Sequence, residues 1–334
     1  MSQLITLIPG DGIGPEITAA VQRILEAANV PVQWEEHNAG ATVLEKEGTL
    51  IPETLLESIK RNRIALKGPI TTPVGKGFKS VNVTLRQLFD LYSNVRPAKT
   101  TEGIKTKFDN VDLVLFRENT EGLYSGLEMY DTQREIADSI ARVSRTGSLR
   151  IIRAAFEYAR KNKRKRVTVV HKANILKMTG KLFLDAAADV AKDYPDIQMD
   201  DKIIDNMCMQ LVQKPEQFEV IVTTNLFGDI LSDLCSALVG GLGVVAGANI
   251  GDDYAIFEAV HGSAPDIAGQ GKANPTALLR SALMMLCHIN LADYSERIEA
   301  ALNRTLANPE QCTGDLGGKA STSEFAQHVI NNLQ

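Results

Sequence analysis

The 334-residue sequence predicts an α/β fold with a largely parallel sheet. Three observations carry this. Strand-like runs alternate with helical periodicity along the chain. Apolar residues make up 44% and charged residues 23%, an ordinary globular balance. The length suits two domains or one large α/β unit, and without repeats or low-complexity linkers any boundary is compact and can be crossed more than once.

The first element is "LITLIPGDGIGPEI", residues 4–17. Leu4, Ile5, Leu7 and Ile8 read as a strand, the glycines permit a tight turn, and Ile17, Val21, Ile24, Leu25 and Ala28 recur at helical spacing. A dinucleotide fingerprint needs glycine at its first, third and sixth positions. Counted from Gly10 the sixth position is Pro15, and from Gly12 it is Ile17. The segment is therefore a strand-to-helix turn and not a Rossmann motif. Further strands are expected at 111–116, 166–171 and 219–224, and further helices near 52–61, 147–161, 177–193 and 275–290.

Net charge is −5, so no overall positive field points to nucleic acid or an anionic membrane. The basic run "RKNKRKR" (160–166) reads as a solvated helix C-terminus, where cations meet the negative end of the dipole. Four separated cysteines form no CxxC pair and read as thiols in a reducing compartment. No basic or apolar leader precedes the first strand, and no apolar run is long enough to span a bilayer, so a cytoplasmic protein is expected. "GPITTPVGKG" (68–77) is not a P-loop, because Ile70 and Gly77 stand where Gly and Ser/Thr are needed.

Five stretches carry reactive residue types. In "NLFGDILSDL" (225–234), Asp229 and Asp233 are one helical turn apart. They suit either a hard divalent cation or a solvated acidic face. In "KSVNVTLRQLFDLYSNVRP" (79–97), Ser80, Asn82, Arg86 and Arg96 interrupt apolar segments, and Arg117 follows in "FRENTEGLY" (116–124). Arginines placed this way suggest a substrate with several carboxylates, since guanidinium pairs with carboxylate bidentately. Tyr124 is either a packing aromatic or an acid–base group, and Lys172, in "VVHKANILKMT" (169–179), is either a surface charge or a proton acceptor. "EAVHGSAPDIAGQGKANP" (258–275) is a long Gly/Pro-rich loop, either connecting or functional.

Together these stretches, with "TGDLGG" at 313–318, resemble the β-decarboxylating dehydrogenases, the isocitrate/isopropylmalate dehydrogenase family, nearly end to end. The sequence is most similar to the NAD-linked isocitrate branch. The resemblance implies a fold that is not Rossmann: a mixed sheet of about ten strands split over two domains with a central cleft. The large domain would comprise 1–98 and 240–334, with a cofactor loop at 258–274. The small domain would comprise 99–239, with a dimerising clasp near 122–144.

The implied reaction is NAD-dependent oxidative decarboxylation of isocitrate to 2-oxoglutarate and CO2, with Mg2+ or Mn2+. The S-x-N-x-x-x-R pattern at Ser80, Asn82 and Arg86 resembles the isocitrate branch. Arg86, Arg96 and Arg117 would clamp carboxylates. Homoisocitrate or isopropylmalate is the alternative substrate, and a noncatalytic regulatory subunit the alternative role. Lys172 is expected as the base, assisted by Asp205, and Tyr124 as the acid. Asp205, Asp229 and Asp233 would form one metal site, with Asp205 and Lys172 arriving from a second subunit. A homodimer with a shared site is thus expected. Cofactor contacts are expected at Ile13, Thr72, Asn174, Glu258, His261, Gly262, Ala264, Asp266, Ile267 and Asn274. Asp266 and Ile267 stand where NADP-linked relatives carry lysine and tyrosine. Gly314 and Gly318 replace a tyrosine and an arginine, so NAD is preferred.

Overall fold

The computed structural model describes residues 2–71 and 80–333. Thr72 and the Gly75-Lys76 pair lie outside the described residues. The opening run forms β1 (Gln3–Ile8), and Pro15 in its first turn starts α1 (Gly14–Ala27), whose Ile17, Val21, Ile24 and Leu25 are buried. Next come β2 (Val32–Glu36), α2 (Ala41–Glu47), α3 (Glu53–Asn62) and β3 (Ile64–Lys67). Ser80 caps α4 (Val81–Leu88), which leads to β4 (Ser93–Lys99) and β5 (Asp112–Glu118). A hairpin, β6 (Glu128–Asp131) with β7 (Ile136–Ser139), precedes α5 (Arg145–Lys161). β8 (Arg166–His171), α6 (Thr179–Ala191), β9 (Gln198–Ile203), α7 (Ile204–Gln213), β10 (Val220–Thr223) and α8 (Asn225–Leu238) follow. The chain ends with β11 (Ala246–Ile250), β12 (Ala255–Ala259), α9 (Thr276–His288), α10 (Ala292–Leu306) and α11 (Thr322–Asn331).

Ten strands form one mixed sheet in the order β2-β1-β3-β12-β11-β4-β5-β10-β8-β9. Strands β2, β1, β3 and β12 are mutually parallel, as are β5, β10, β8 and β9. The antiparallel strands β11 and β4 join these halves, so the halves run in opposite directions. The expected parallel sheet is present as two parallel halves, and the mixed character comes from the antiparallel central strands β11 and β4.

Period-two alternation sends neighbouring residues to opposite faces. One face is a single continuous core: Ile5 and Leu7, Ile64 and Leu66, Phe257, Ala248, Val95, Val114 and Phe116, Val220 and Val222, under α1, α5, α6 and α9. The other face carries two separate cores. Ile8, Ala65 and Ile256 pack with residues of α3 and α4, while Leu113, Leu115 and Ile221 pack with residues of α7 and α8. Residues on this second face that lie between the two cores are polar: Lys67, Glu258, Asn249, Asn94, Arg96 and Arg117. The register aligns Lys67 with Glu258, and Asn94 with both Asn249 and Arg117. A polar stripe thus crosses the sheet where the apolar packing is interrupted.

The 160–166 run is spent on local pairs: Arg160 with Asp196 at 3.0 Å, and Arg164 with Asp112. All four cysteines are free, and among the described residues no helix is long and apolar enough to cross a membrane. The β6–β7 hairpin exposes Met129 and Tyr130 by 59% and 61%. An isolated two-stranded ribbon is marginal in water, and such exposure is characteristic of interaction surfaces.

Candidate active site

The stripe begins with a buried ion cluster. Lys67, the polar end of the apolar strand β3, is 2% exposed and donates from Nζ to Glu258 Oε2 at 2.7 Å. Arg86, in the last turn of α4, donates from Nη2 to Glu258 Oε1 at 3.1 Å. Burial works to raise the Glu258 pKa, but Lys67 and Arg86 beside it prevail and hold the carboxyl far below its usual value. Arg96 donates from Nε to Asn94 at 3.0 Å, and burial pushes its pKa down to about 10. Arg86 Nε, Arg96 Nη1 and Asn82 Oδ1 are buried without a hydrogen-bond partner among the described residues.

A second cluster gathers at Arg117, which is 1% exposed. Its Nε and Nη2 both donate to Asn225 Oδ1, at 3.0 and 2.7 Å, and its Nη1 donates to Asp229. The Tyr124 hydroxyl donates to the other oxygen of Asp229, and the Arg117 guanidinium lies 4.9 Å from the centre of the Tyr124 ring. Gly228 makes room for this, since a Cβ there would come 2.5 Å from Arg117 Cγ. Burial and then the Asp229 hydrogen bond raise the Tyr124 pKa, which favours the protonated phenol.

Across both clusters, the carboxylates paired with Lys67, Arg86, Arg96 and Arg117 among the described residues are Glu258 and Asp229. Two positive charges are in excess in a buried setting, which is costly unless an anion joins them. The open guanidinium nitrogens are donors for such a group. The arrangement is that of a cradle for a polycarboxylate, and Ser80 and Asn82, at the start of α4, sit on the same helix as Arg86.

Lys172 lies elsewhere, just after β8. Its Nζ donates to Asp205 Oδ1 at 2.5 Å, and this bond holds the Asp205 pKa below the usual carboxylate value. His171 shapes the turn: its Nδ1 accepts from Ala173 N–H at 3.0 Å while its Nε2 lies 2.9 Å from Asp201. Within one chain, Lys172 and Asp205 make no hydrogen bond with Tyr124 or Asp229 among the described residues. Likewise, no group of three or more His, Cys, Asp or Glu among those residues is arranged to hold a metal ion. The fit to a divalent cation therefore rests on Asp229 and the exposed Asp233, two carboxylates one turn apart on α8. These are hard oxygen donors whose mutual repulsion a cation relieves.

The 258–275 loop docks on the opening glycine turn. Ile13 N–H donates to Ser263 O at 2.9 Å, and the Thr71 and Ser263 hydroxyls are 2.7 Å apart. Gly12 has φ +60°, and a Cβ there would stand 2.0 Å from Ser263 O. The turn's glycine thus serves backbone approach by this loop. The Ile13 side chain itself is buried in the core. His261 Nδ1 is 2.9 Å from Gly262 O, an acceptor, so Nδ1 carries the proton. Nε2 is left as a buried acceptor without a hydrogen-bond partner among the described residues, and burial lowers the His261 pKa, which favours the neutral ring. That open acceptor beside the exposed Gly262 and Asp266 and the half-buried Ala264 and Ile267 fits a bound group that donates hydrogen bonds, such as an adenine amine. Asn274 is used internally, on Asp315 and Thr276 N–H at 2.9 Å each, and Asn174 is exposed beyond Lys172. The Glu258 carboxylate is engaged by the cation cluster.

The arginine cradle is a site for a carboxylate substrate, and the match of residues 4–329 to the isocitrate/isopropylmalate dehydrogenase family model shows that the chain belongs to that family of dehydrogenases. Among its relatives, the mitochondrial NAD isocitrate dehydrogenase subunit alpha of Homo sapiens is 50% identical over 333 residues, covering 99% of this chain and 91% of the relative. The mitochondrial NAD isocitrate dehydrogenase catalytic subunit 5 of Arabidopsis thaliana is 48% identical, covering 98% and 88%. The crystal structure of isocitrate dehydrogenase from Methylococcus capsulatus superposes with a TM-score of 0.96 at 54% identity, covering 99% of both chains.

These names correct one expectation. A cytoplasmic protein does not stand, because the human and Arabidopsis relatives are mitochondrial. That expectation rests on the residues ahead of β1, and a removable leader lies outside the folded unit, so the fold is indifferent to it.

Proposed function

We propose that this chain is an NAD-dependent isocitrate dehydrogenase, converting isocitrate to 2-oxoglutarate and CO2 with Mg2+ or Mn2+. The observation that carries the reading is the buried cradle of Arg86, Arg96 and Arg117 with its excess positive charge. Ser80 and Asn82 favour isocitrate over isopropylmalate, because polar groups facing an isopropyl substituent would be left unpaired. The presence of Tyr124, Lys172 and all three aspartates speaks against a noncatalytic subunit.

Asp229 and Asp233 would hold the cation with Asp205 of the partner subunit, and the 258–274 loop would hold NAD. When bound, the cation supplies Lewis-acid polarisation and the nicotinamide accepts hydride. The arginines orient the carboxylates. The partner subunit's Lys172, held by Asp205, takes the substrate hydroxyl proton, and Tyr124 returns a proton to the carbon that loses CO2. The separate cores on one sheet face support a hinge between 1–98 with 240–334 and 99–239, whose closure would exclude water. The exposed hairpin supports a clasp near 122–144 joining two copies, a homodimer, although the human and Drosophila relatives are named as alpha subunits.

The testing experiment is steady-state kinetics with isocitrate, homoisocitrate and isopropylmalate, each with NAD and NADP. Highest kcat/KM with isocitrate and NAD is expected, and a preference for another substrate or for NADP contradicts the reading. Asp266→Lys with Ile267→Tyr is expected to shift the NADP/NAD ratio of kcat/KM by about tenfold or more, since a cation then meets the 2′-phosphate. Gly314→Tyr can be added in open space. Gly318→Arg cannot, because a Cβ there would meet Cys312 O at 1.9 Å.

A further inference from the structure

We propose that Asn249, with Asn94, is a positioning residue that locks two of the substrate-gripping arginines into one unit. The inference rests on the reading of Arg86 and Arg96 as carboxylate-binding groups. Asn94 and Asn249 face each other on β4 and β11 and are 0% and 2% exposed. Arg96 Nε donates to Asn94 Oδ1 at 3.0 Å, and Asn94 Nδ2 donates to Asn249 Oδ1 at 2.8 Å. Asn249 Nδ2 donates to Glu258 Oε1 at 2.7 Å, the same oxygen that receives Arg86 at 3.1 Å. Asn119 Nδ2 also donates to Asn249 Oδ1, at 2.9 Å, tying in the end of β5.

The direction of this chain is forced from both ends. A guanidinium only donates, so Asn94 must turn its oxygen to Arg96 and its nitrogen to Asn249. An ionised carboxylate only accepts, so Asn249 must turn its nitrogen to Glu258 and its oxygen to Asn94. The two amides therefore have one consistent arrangement, and it runs from one arginine to the carboxylate that holds the other. Neither amide titrates, so the linkage keeps its sense at any pH at which Glu258 is ionised. An aspartate at either position breaks the order. At 249 it sets oxygen against Glu258 Oε1. At 94 it sets oxygen against Asn249 Oδ1, or, if Asn249 turns over, sets Asn249 Oδ1 against Glu258. Both replacements keep the side-chain shape.

The test measures KM for isocitrate and for NAD, kcat and thermal unfolding in Asn249→Asp, Asn94→Asp, Glu258→Gln, Asn249→Asp with Glu258→Gln, and Arg96→Ala. In the double variant the carboxylate is moved one place along the chain, and the amide introduced by Glu258→Gln can donate to it. Asn249→Asp and Asn94→Asp are each expected to raise the isocitrate KM about tenfold or more with the NAD KM within about twofold. Adding Asn249→Asp to Glu258→Gln is expected to cost less than about threefold, because the two sites are coupled. The proposal is overturned if Asn249→Asp leaves the isocitrate KM unchanged while Arg96→Ala raises it. It is equally overturned if both KM values rise together, or if adding Asn249→Asp to Glu258→Gln, which already deprives Arg86 of its acceptor, raises the isocitrate KM by as much as Asn249→Asp does alone. An unchanged isocitrate KM in Arg96→Ala refutes the cradle reading itself and the linkage with it.

Discussion

Lys172→Met is expected to lower kcat about 10³-fold, the middle of the range for a lost acid–base group, while leaving isocitrate and NAD affinities within a few-fold. The lysine is held at 2.5 Å by Asp205, and the turn carrying it is fixed by His171, whose Nδ1 accepts from Ala173 N–H. It is thus presented from a shaped support, as a proton carrier must be. Among the described residues it has no hydrogen bond to the Tyr124–Asp229–Arg117 cluster of its own chain, as the proposed site completed by a second copy requires. Mixing Lys172→Met with Tyr124→Phe protein should therefore regain activity, because some mixed dimers carry one site with both groups intact. Steady-state kinetics on each variant and on the mixture checks this. A Lys172→Met enzyme with near-normal kcat, or a mixture no more active than its parts after subunit exchange, contradicts it.

Asp229→Asn is expected to lower kcat/KM about 10³-fold, the equivalent of about 4 kcal/mol of lost transition-state stabilisation. Asp229 has several tasks. It accepts from Arg117 and from Tyr124, and with Asp233 it offers hard oxygens to a cation. An asparagine keeps one acceptor but removes the charge that balances a guanidinium 1% exposed. Binding of Mn2+, followed by electron paramagnetic resonance of the free ion, is expected to weaken at least about tenfold. Unchanged Mn2+ binding would remove Asp229 from the metal site.

The parts legible in the sequence were those whose signal is local. The amphipathic pattern of 15–28 gave α1, and Asp229 and Asp233 declared a shared face by spacing alone. Long-range pairing was not legible. The first four residues of β11, "AGAN", have little strand preference, and the segment is a strand because β4 and β12 flank it. Asn94 and Asn249 are 155 positions apart and meet only through strand register. Asn225 drew no reading from the sequence, yet its Oδ1 receives both Nε and Nη2 of Arg117. Lys67 had one available signal, a lone charge closing the apolar strand "IALK". The opening glycines read as a plain strand-to-helix turn, and what the sequence did not show is that Gly12 admits the backbone of Ser263, 251 residues later. Glu258 was read as a cofactor contact, and its carboxylate is bound to Lys67, Arg86 and Asn249.

The central claim is that this one chain, in copies of itself, oxidises and decarboxylates isocitrate. The most direct measurement is product stoichiometry from the purified chain supplied with isocitrate, NAD and Mn2+. NADH, CO2 and 2-oxoglutarate are expected in equal amounts. NADH without CO2, or a folded chain that turns over only when a different subunit is added, would contradict it.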